Sequence, residues 1–166
     1  MTSQALRAIP VLFLSVLLMS CGFQLRSYNV GSNVESYALG GNVDLAVVPP
    51  LRRTLDQAGL NQVSEGANLL VELLDQRRDR RSVSTTGQTR VAEYETSYGV
   101  RYRLLDAAGQ ELLPPTWVQR SRVYRVNREN IVGSAEEQAL LEREMLQEVV
   151  GQIMRSISIV TQPAAT

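Results

Sequence analysis

The sequence predicts an α+β sandwich, with two helices covering one face of a four-stranded mixed sheet in the order strand, helix, strand, strand, strand, helix. Three observations predict it. From Ala92 to Leu104 the chain alternates strictly: Ala92, Tyr94, Thr96, Tyr98, Val100, Tyr102 and Leu104 share one face, while Glu93, Glu95, Ser97, Arg101 and Arg103 share the other. Turn signals on both sides of this strand join three consecutive strands into an antiparallel meander. An apolar stripe at helical spacing then closes the chain and supplies a face that the sheet can bury. The opposite face of the sheet is left uncovered.

The elements follow in order. Ser27 to Asn33 is polar and contains a glycine, so it reads as a tether. Val34 to Leu39 reads as a short strand closed by Gly40 and Gly41. Pro49 and Pro50 suit the first turn of a helix, where a missing amide donor costs little, and Leu51, Leu55 and Ala58 follow at helical spacing before Gly59. The first helix is therefore expected from Pro49 to Ala58, as a right-handed crossover between parallel strands. Asn68 to Ser84 begins as a strand with Leu69, Val71 and Leu73 pointing inward, then runs into Arg77-Arg78-Asp79-Arg80-Arg81 with little further apolar content. That second half must face water or something anionic.

Ser84 to Gln88 forms the hairpin turn around Gly87, and Asp106 to Gly109 forms the next turn. Pro114 and Pro115 are expected to delay pairing of the last strand until Thr116, since proline offers no amide to a ladder. Ser134 and Glu137 form the S-x-x-E pattern that satisfies free amides at a helix start. The helix they open carries Ala139, Leu146, Val149, Val150, Ile153 and Ile157 on one face. Residues 34–160 are thus expected to form the folded domain, with 161–166 a disordered tail.

The first twenty residues have a different character. Met1 to Arg7 is short and basic, and Ala8 to Met19 is almost wholly apolar, the length of a secretory leader's core and too short for a membrane span. Leu18-Met19-Ser20-Cys21 resembles the processing site of bacterial lipoproteins, which implies removal of residues 1–20 and acylation of Cys21. Cys21 is the single cysteine of the chain, so no disulfide is available to the domain. Several acyl chains hold a protein at a bilayer far better than one does. Gly22 follows where inner-membrane lipoproteins often carry Asp, which by that resemblance favours the outer membrane.

The mature chain would be long enough for one domain with a substantial core. Its 16 arginines nearly balance 17 acids, so total charge says nothing about partners. Distribution does. Between Arg77 and Arg128 lie eleven arginines and five acids, and every basic side chain in the protein is arginine. Guanidinium pairs bidentately with phosphate where ammonium does not. A GC-rich genome that prefers arginine codons accounts for most of the missing lysine, though not for the clustering. The bland alternative for each arginine is a solvated strand pair held by cross-strand charges.

With no histidine and its one cysteine acylated, the chain lacks a Ser-His-Asp or Cys-His nucleophile, a histidine metal site and an imidazole proton relay. Glu93 and Glu95 share a strand face at roughly 7 Å, which keeps a glycosidase-like carboxylate pair formally open. Pairing with neighbours such as Arg101 and Arg103 is the simpler expectation. No catalysis, cofactor, metal or nucleic-acid partner is expected.

Cys21-Gly22-Phe23-Gln24-Leu25-Arg26 resembles the mature start of the LptE family, the small lipoproteins of the outer-membrane lipopolysaccharide transport machine. Gly87-Gln88-Thr89, Glu93-Tyr94-Glu95, Arg101-Tyr102-Arg103-Leu104 and Glu144-Met145 follow in the order that family shows. The resemblance implies a protein that plugs the LptD β-barrel, helps it fold and binds lipopolysaccharide, anchored by lipid at the periplasmic side of the outer membrane and seated within the barrel lumen. In the family a basic side chain beside the hairpin turn contributes to that binding. Thr85 and Thr86 stand there in this sequence, so Arg81 and Arg90, which flank the turn, are the nearest substitutes, with Arg77, Arg78 and Arg80 further along the same strand.

Two other readings remain open from the residues: a free-standing amphiphile carrier or structural lipoprotein using the open sheet face, and a carboxylate-pair hydrolase acting on peptidoglycan. Tyr94, Tyr98 and Tyr102 share a face with Val100 and Leu104 and are expected in the core rather than against a sugar. Trp117 suits either the core or a contact with the barrel.

Overall fold

A computed structural model describes residues 30–31, 34–84, 91–127 and 131–162. The elements are β1 (Ser36–Gly41), α1 (Val48–Gln57), β2 (Asn61–Gln62), β3 (Leu69–Ser84), β4 (Val91–Asp106), β5 (Glu111–Asn127) and α2 (Ile131–Thr161). They form the α+β arrangement expected, with an open mixed sheet of order β2-β1-β3-β4-β5. The sheet has five strands rather than four. The fifth, β2, is two exposed polar residues parallel to β1, with no alternation for a sequence pattern to reveal.

β1 runs parallel to β3, and β3, β4 and β5 form the antiparallel meander. Gly41 ends β1 at φ 74°, where a Cβ would sit 2.2 Å from the Leu73 carbonyl oxygen, so only glycine fits. Tyr37, Leu69, Val71, Leu73, Val100, Tyr102 and Leu104 from the sheet, Leu51 and Leu55 from α1, and Met145, Val149, Ile153 and Ile157 from α2 make one buried cluster. Both helices therefore cover the same sheet face. Tyr37 donates its hydroxyl to Asp56 of α1 at 2.7 Å, and Tyr102 and Ser156 of α2 are bonded at 2.9 Å. Burial, followed by the Asp56 carboxylate, drives the Tyr37 hydroxyl's pKa well up, and burial raises that of Tyr102.

Three boundaries differ from expectation, each for a local reason. β5 begins at Glu111, not Thr116: Pro114 and Pro115 sit in an irregular stretch where Leu104 pairs with Leu113 and Tyr102 with Thr116. β5 is an edge strand, so one of the two adjacent missing amides faces away from the ladder, and the irregular pairing there gives neither proline a partner. α2 begins at Ile131, so Ser134 lies inside the helix, buried, rather than at its cap. α2 also extends through Thr161, which is not tail. Its hydroxyl accepts the Gly31 amide at 3.0 Å and donates to the Ile157 carbonyl at 2.8 Å, tying Gly31, expected in the tether, to the domain. No described helix is long and apolar enough to cross a membrane.

Element lengths decide where the sheet is covered. β3, β4 and β5 have 16, 16 and 17 residues, roughly 53–56 Å of strand at about 3.3 Å per residue. α1 has 10 residues, about 15 Å, whereas α2 has 31, about 46 Å. α1 thus covers only the end of the sheet near β1. Over the far half, toward Ser84 and Val91, α2 lies alone, along β5 and β4.

Candidate functional site

The arginine run sits on the far half of β3, and a bulge there decides where each side chain points. Leu73 pairs with Tyr102, but Asp75 pairs with Arg101, so Leu74 is an extra residue in β3. One inserted residue reverses the alternation beyond it. Leu69, Val71 and Leu73 face the helices as expected. Past the bulge it is the even positions that pair with the inward residues of β4: Gln76 with Val100, Arg78 with Tyr98, Arg80 with Thr96. Arg77 and Arg81 pair with Gly99 and Glu95 and take the open face.

The four arginines are exposed and differently engaged. Arg81 donates Nε to Glu95 at 2.5 Å, and this hydrogen bond, helped by one from Ser121, holds the Glu95 carboxyl below the usual carboxylate range. Arg77 lies over Trp117 at 4.3 Å, Arg78 over Tyr98 at 5.4 Å, and Arg80 over Tyr94 at 4.1 Å and Tyr124 at 5.6 Å. Among the described residues these three meet rings rather than carboxylates. A cation–π contact spends no acceptor of the protein on the guanidinium, so its N–H donors stay available to other acceptors. Arg120 and Arg122, also on the helix-facing side of β5, are both paired to Glu148 of α2.

The open face is a ladder of charge pairs. Arg103 bridges Glu72 and Glu111, which hold its guanidinium more firmly protonated than usual, and Arg125 pairs with Glu93 at 2.9 Å. Glu93 and Glu95 are therefore each bound to an arginine, though to Arg125 and Arg81 rather than to Arg101 and Arg103. A general acid needs a carboxyl with raised affinity for its proton. Glu95 has the reverse.

Tyr98 and Tyr102 are buried, as expected, and burial raises the pKa of both hydroxyls. Tyr94 is half-buried and serves Arg80 instead. Trp117 is neither in the core nor idle, since it carries Arg77. Sequence reasoning missed these ring partners. The signal available was cross-strand register, which the Leu74 bulge conceals.

On the helix-facing side, the uncovered part of the far half forms a groove of about 550 Å³ between β4 and α2, lined by Arg78, Thr96, Tyr98, Ala139, Met145 and Leu146 among others. Cys21, Thr85, Thr86 and Arg90 lie outside the described residues. No group of three potential metal ligands occurs among the described residues.

Comparison with curated protein sequences finds no match. Among solved structures, the chain is similar to an uncharacterized lipoprotein B from Nitrosomonas europaea, 25% identical with a TM-score of 0.71, over 84% of this chain and 92% of that one. It shares its fold with the rare lipoprotein B of Shewanella oneidensis, 20% identical with a TM-score of 0.64, over 75% and 94% of the two chains. A minor lipoprotein from Acinetobacter baumannii, 16% identical with a TM-score of 0.63 over 80% and 97%, has the fold as well. The sequence model of the lipopolysaccharide-assembly family LptE matches residues 25–157, most of the chain. The chain belongs to the LptE family, and its role lies in lipopolysaccharide assembly.

Proposed function

We propose that the protein is an outer-membrane lipoprotein, processed after Ser20 and acylated at Cys21, that plugs an LptD-like β-barrel, assists its assembly and binds lipopolysaccharide without catalysing a reaction. The observation that carries the glycolipid part is the set of guanidiniums of Arg77, Arg78 and Arg80 lying over aromatic rings, whose N–H donors are not spent on carboxylates of the described domain. Phosphates of a glycolipid are the acceptors that planar donors suit. Arg81 and Arg90 stand on either side of Thr85 and Thr86 in the sequence, and these four residues are included in the proposed site.

The barrel part is supported by the other sheet face. The interior wall of a large outer-membrane barrel is polar, so a plug needs polar surface where it meets that wall. The ladder of Glu72, Arg103, Glu111, Arg81, Glu95, Glu93 and Arg125 supplies it. The same ladder tells against a free-standing carrier that would hold an amphiphile on the open face.

The test is affinity purification of a tagged protein from solubilised outer membrane. A stoichiometric β-barrel partner with bound lipopolysaccharide is expected. Recovery of the protein alone overturns the proposal.

A further inference from the structure

We infer that the groove between the far half of β4 and α2 takes one acyl chain of the glycolipid, with a phosphate of the same molecule held at Arg78. The inference rests on the lipopolysaccharide-binding reading above and adds a place for the apolar part of the ligand, on the helix-facing side of the sheet rather than at the hairpin turn.

The groove exists because α1 is too short to reach the far half, so the inner face there has one helix where the near half has two. Its volume of about 550 Å³ falls within the roughly 300–1,000 Å³ of ordinary ligand sites, room for a single chain rather than several. Tyr98 forms its floor, and Ala139 and Leu146 of α2 form its exposed wall, Met145 beside them being buried in the core. Two cations and one acid stand at its rim. Arg78 lies over Tyr98 and keeps its N–H donors, Arg143 is steadied by its Nε bond to the Ala139 carbonyl at 3.2 Å, and Glu142 accepts from Gln138 at 2.9 Å. An apolar channel with a net positive rim complements an acyl chain carrying a phosphate near its head.

The experiment places the photo-crosslinking residue benzoylphenylalanine at Ala139, an exposed position that does not disturb the core, in the full chain within its own outer membrane. After illumination, the adduct is identified by mass, with and without Arg78→Gln. The expected result is a lipopolysaccharide adduct at Ala139 that falls at least fivefold with Arg78→Gln, while co-purification of the barrel is unchanged. Adducts made only with protein or with glycerophospholipid overturn the inference, as does a lipopolysaccharide adduct indifferent to Arg78→Gln. A second probe at Ser82 separates the two claims. Lipopolysaccharide captured there but not at Ala139 removes the groove and leaves the functional reading standing. No lipopolysaccharide at either position, with no barrel recovered, removes both.

Discussion

Arg77 reaches Trp117 across Gly99: the guanidinium carbon lies 4.3 Å from the ring centroid, and the strand position between them carries no side chain. A Cβ at Gly99 would meet Gln119 at 3.5 Å, an ordinary contact, so alanine fits there while a long side chain would come between cation and ring. Arg77→Ala should cost about 0.5–1 kcal/mol and shift the emission of Trp117, the sole tryptophan. Gly99→Leu should produce the same emission change with Arg77 present, and Gly99→Ala should not. Urea unfolding followed by tryptophan fluorescence reads all three.

The bulge at Leu74 makes the two halves of the arginine run separable. Arg78→Glu with Arg80→Glu reverses the helix-facing charges, and Arg77→Glu with Arg81→Glu reverses the open-face ones. The first pair should reduce lipopolysaccharide capture about tenfold at low ionic strength and less at high salt, where exposed charges are screened. The second pair should reduce it less, because Arg81 is already committed to Glu95. Equal losses from both pairs would contradict the assignment of faces.

Glu95 carries a pH signature. Its carboxyl is held below the usual range by Arg81, so the pair adds stability above the ordinary glutamate value of about 4.3. That contribution is lost as pH falls through the lower folded-state value. Arg81→Gln should be less stable than the wild type at pH 7 and converge with it toward the acid limit. Urea midpoints measured from pH 7 to pH 3 test this, and parallel curves would show that the pair contributes nothing.

Thr161→Val removes the buried acceptor of the Gly31 amide while keeping the side chain's shape. Leaving that amide unpaired should cost about 1–3 kcal/mol. Hydrogen exchange at Gly31 should accelerate, with exchange in the core of α2 around Ile153 unchanged.

Helix and strand periodicity were legible wherever one face is buried. The inward set Tyr98, Val100, Tyr102 and Leu104 is buried as the alternation predicts, and so are Leu51 and Leu55 at helical spacing. The site was only half legible. Charge clustering located the arginines on the hairpin strand, but their division between two faces depends on a single extra residue, Leu74, in a run where polar side chains leave the alternation silent. The Ser134 helix start failed for a related reason. A capping pattern names residues able to cap, and the helix runs on past them when residues ahead of them also take helical geometry.

Local chemistry settled the class of fold, the lack of any histidine and the position of the positive charge, because each depends on residue type and short-range spacing. Register, coverage and ring partners were decided only in three dimensions. Which strand position faces which neighbour, and how far a ten-residue helix extends over a sixteen-residue strand, follow from pairing between segments distant in the chain. That pairing turned a run of arginines into two surfaces, an open face where Arg81 pairs with Glu95 and Arg77 lies over Trp117, and a helix-facing side where Arg78 and Arg80 lie over tyrosines beside a groove.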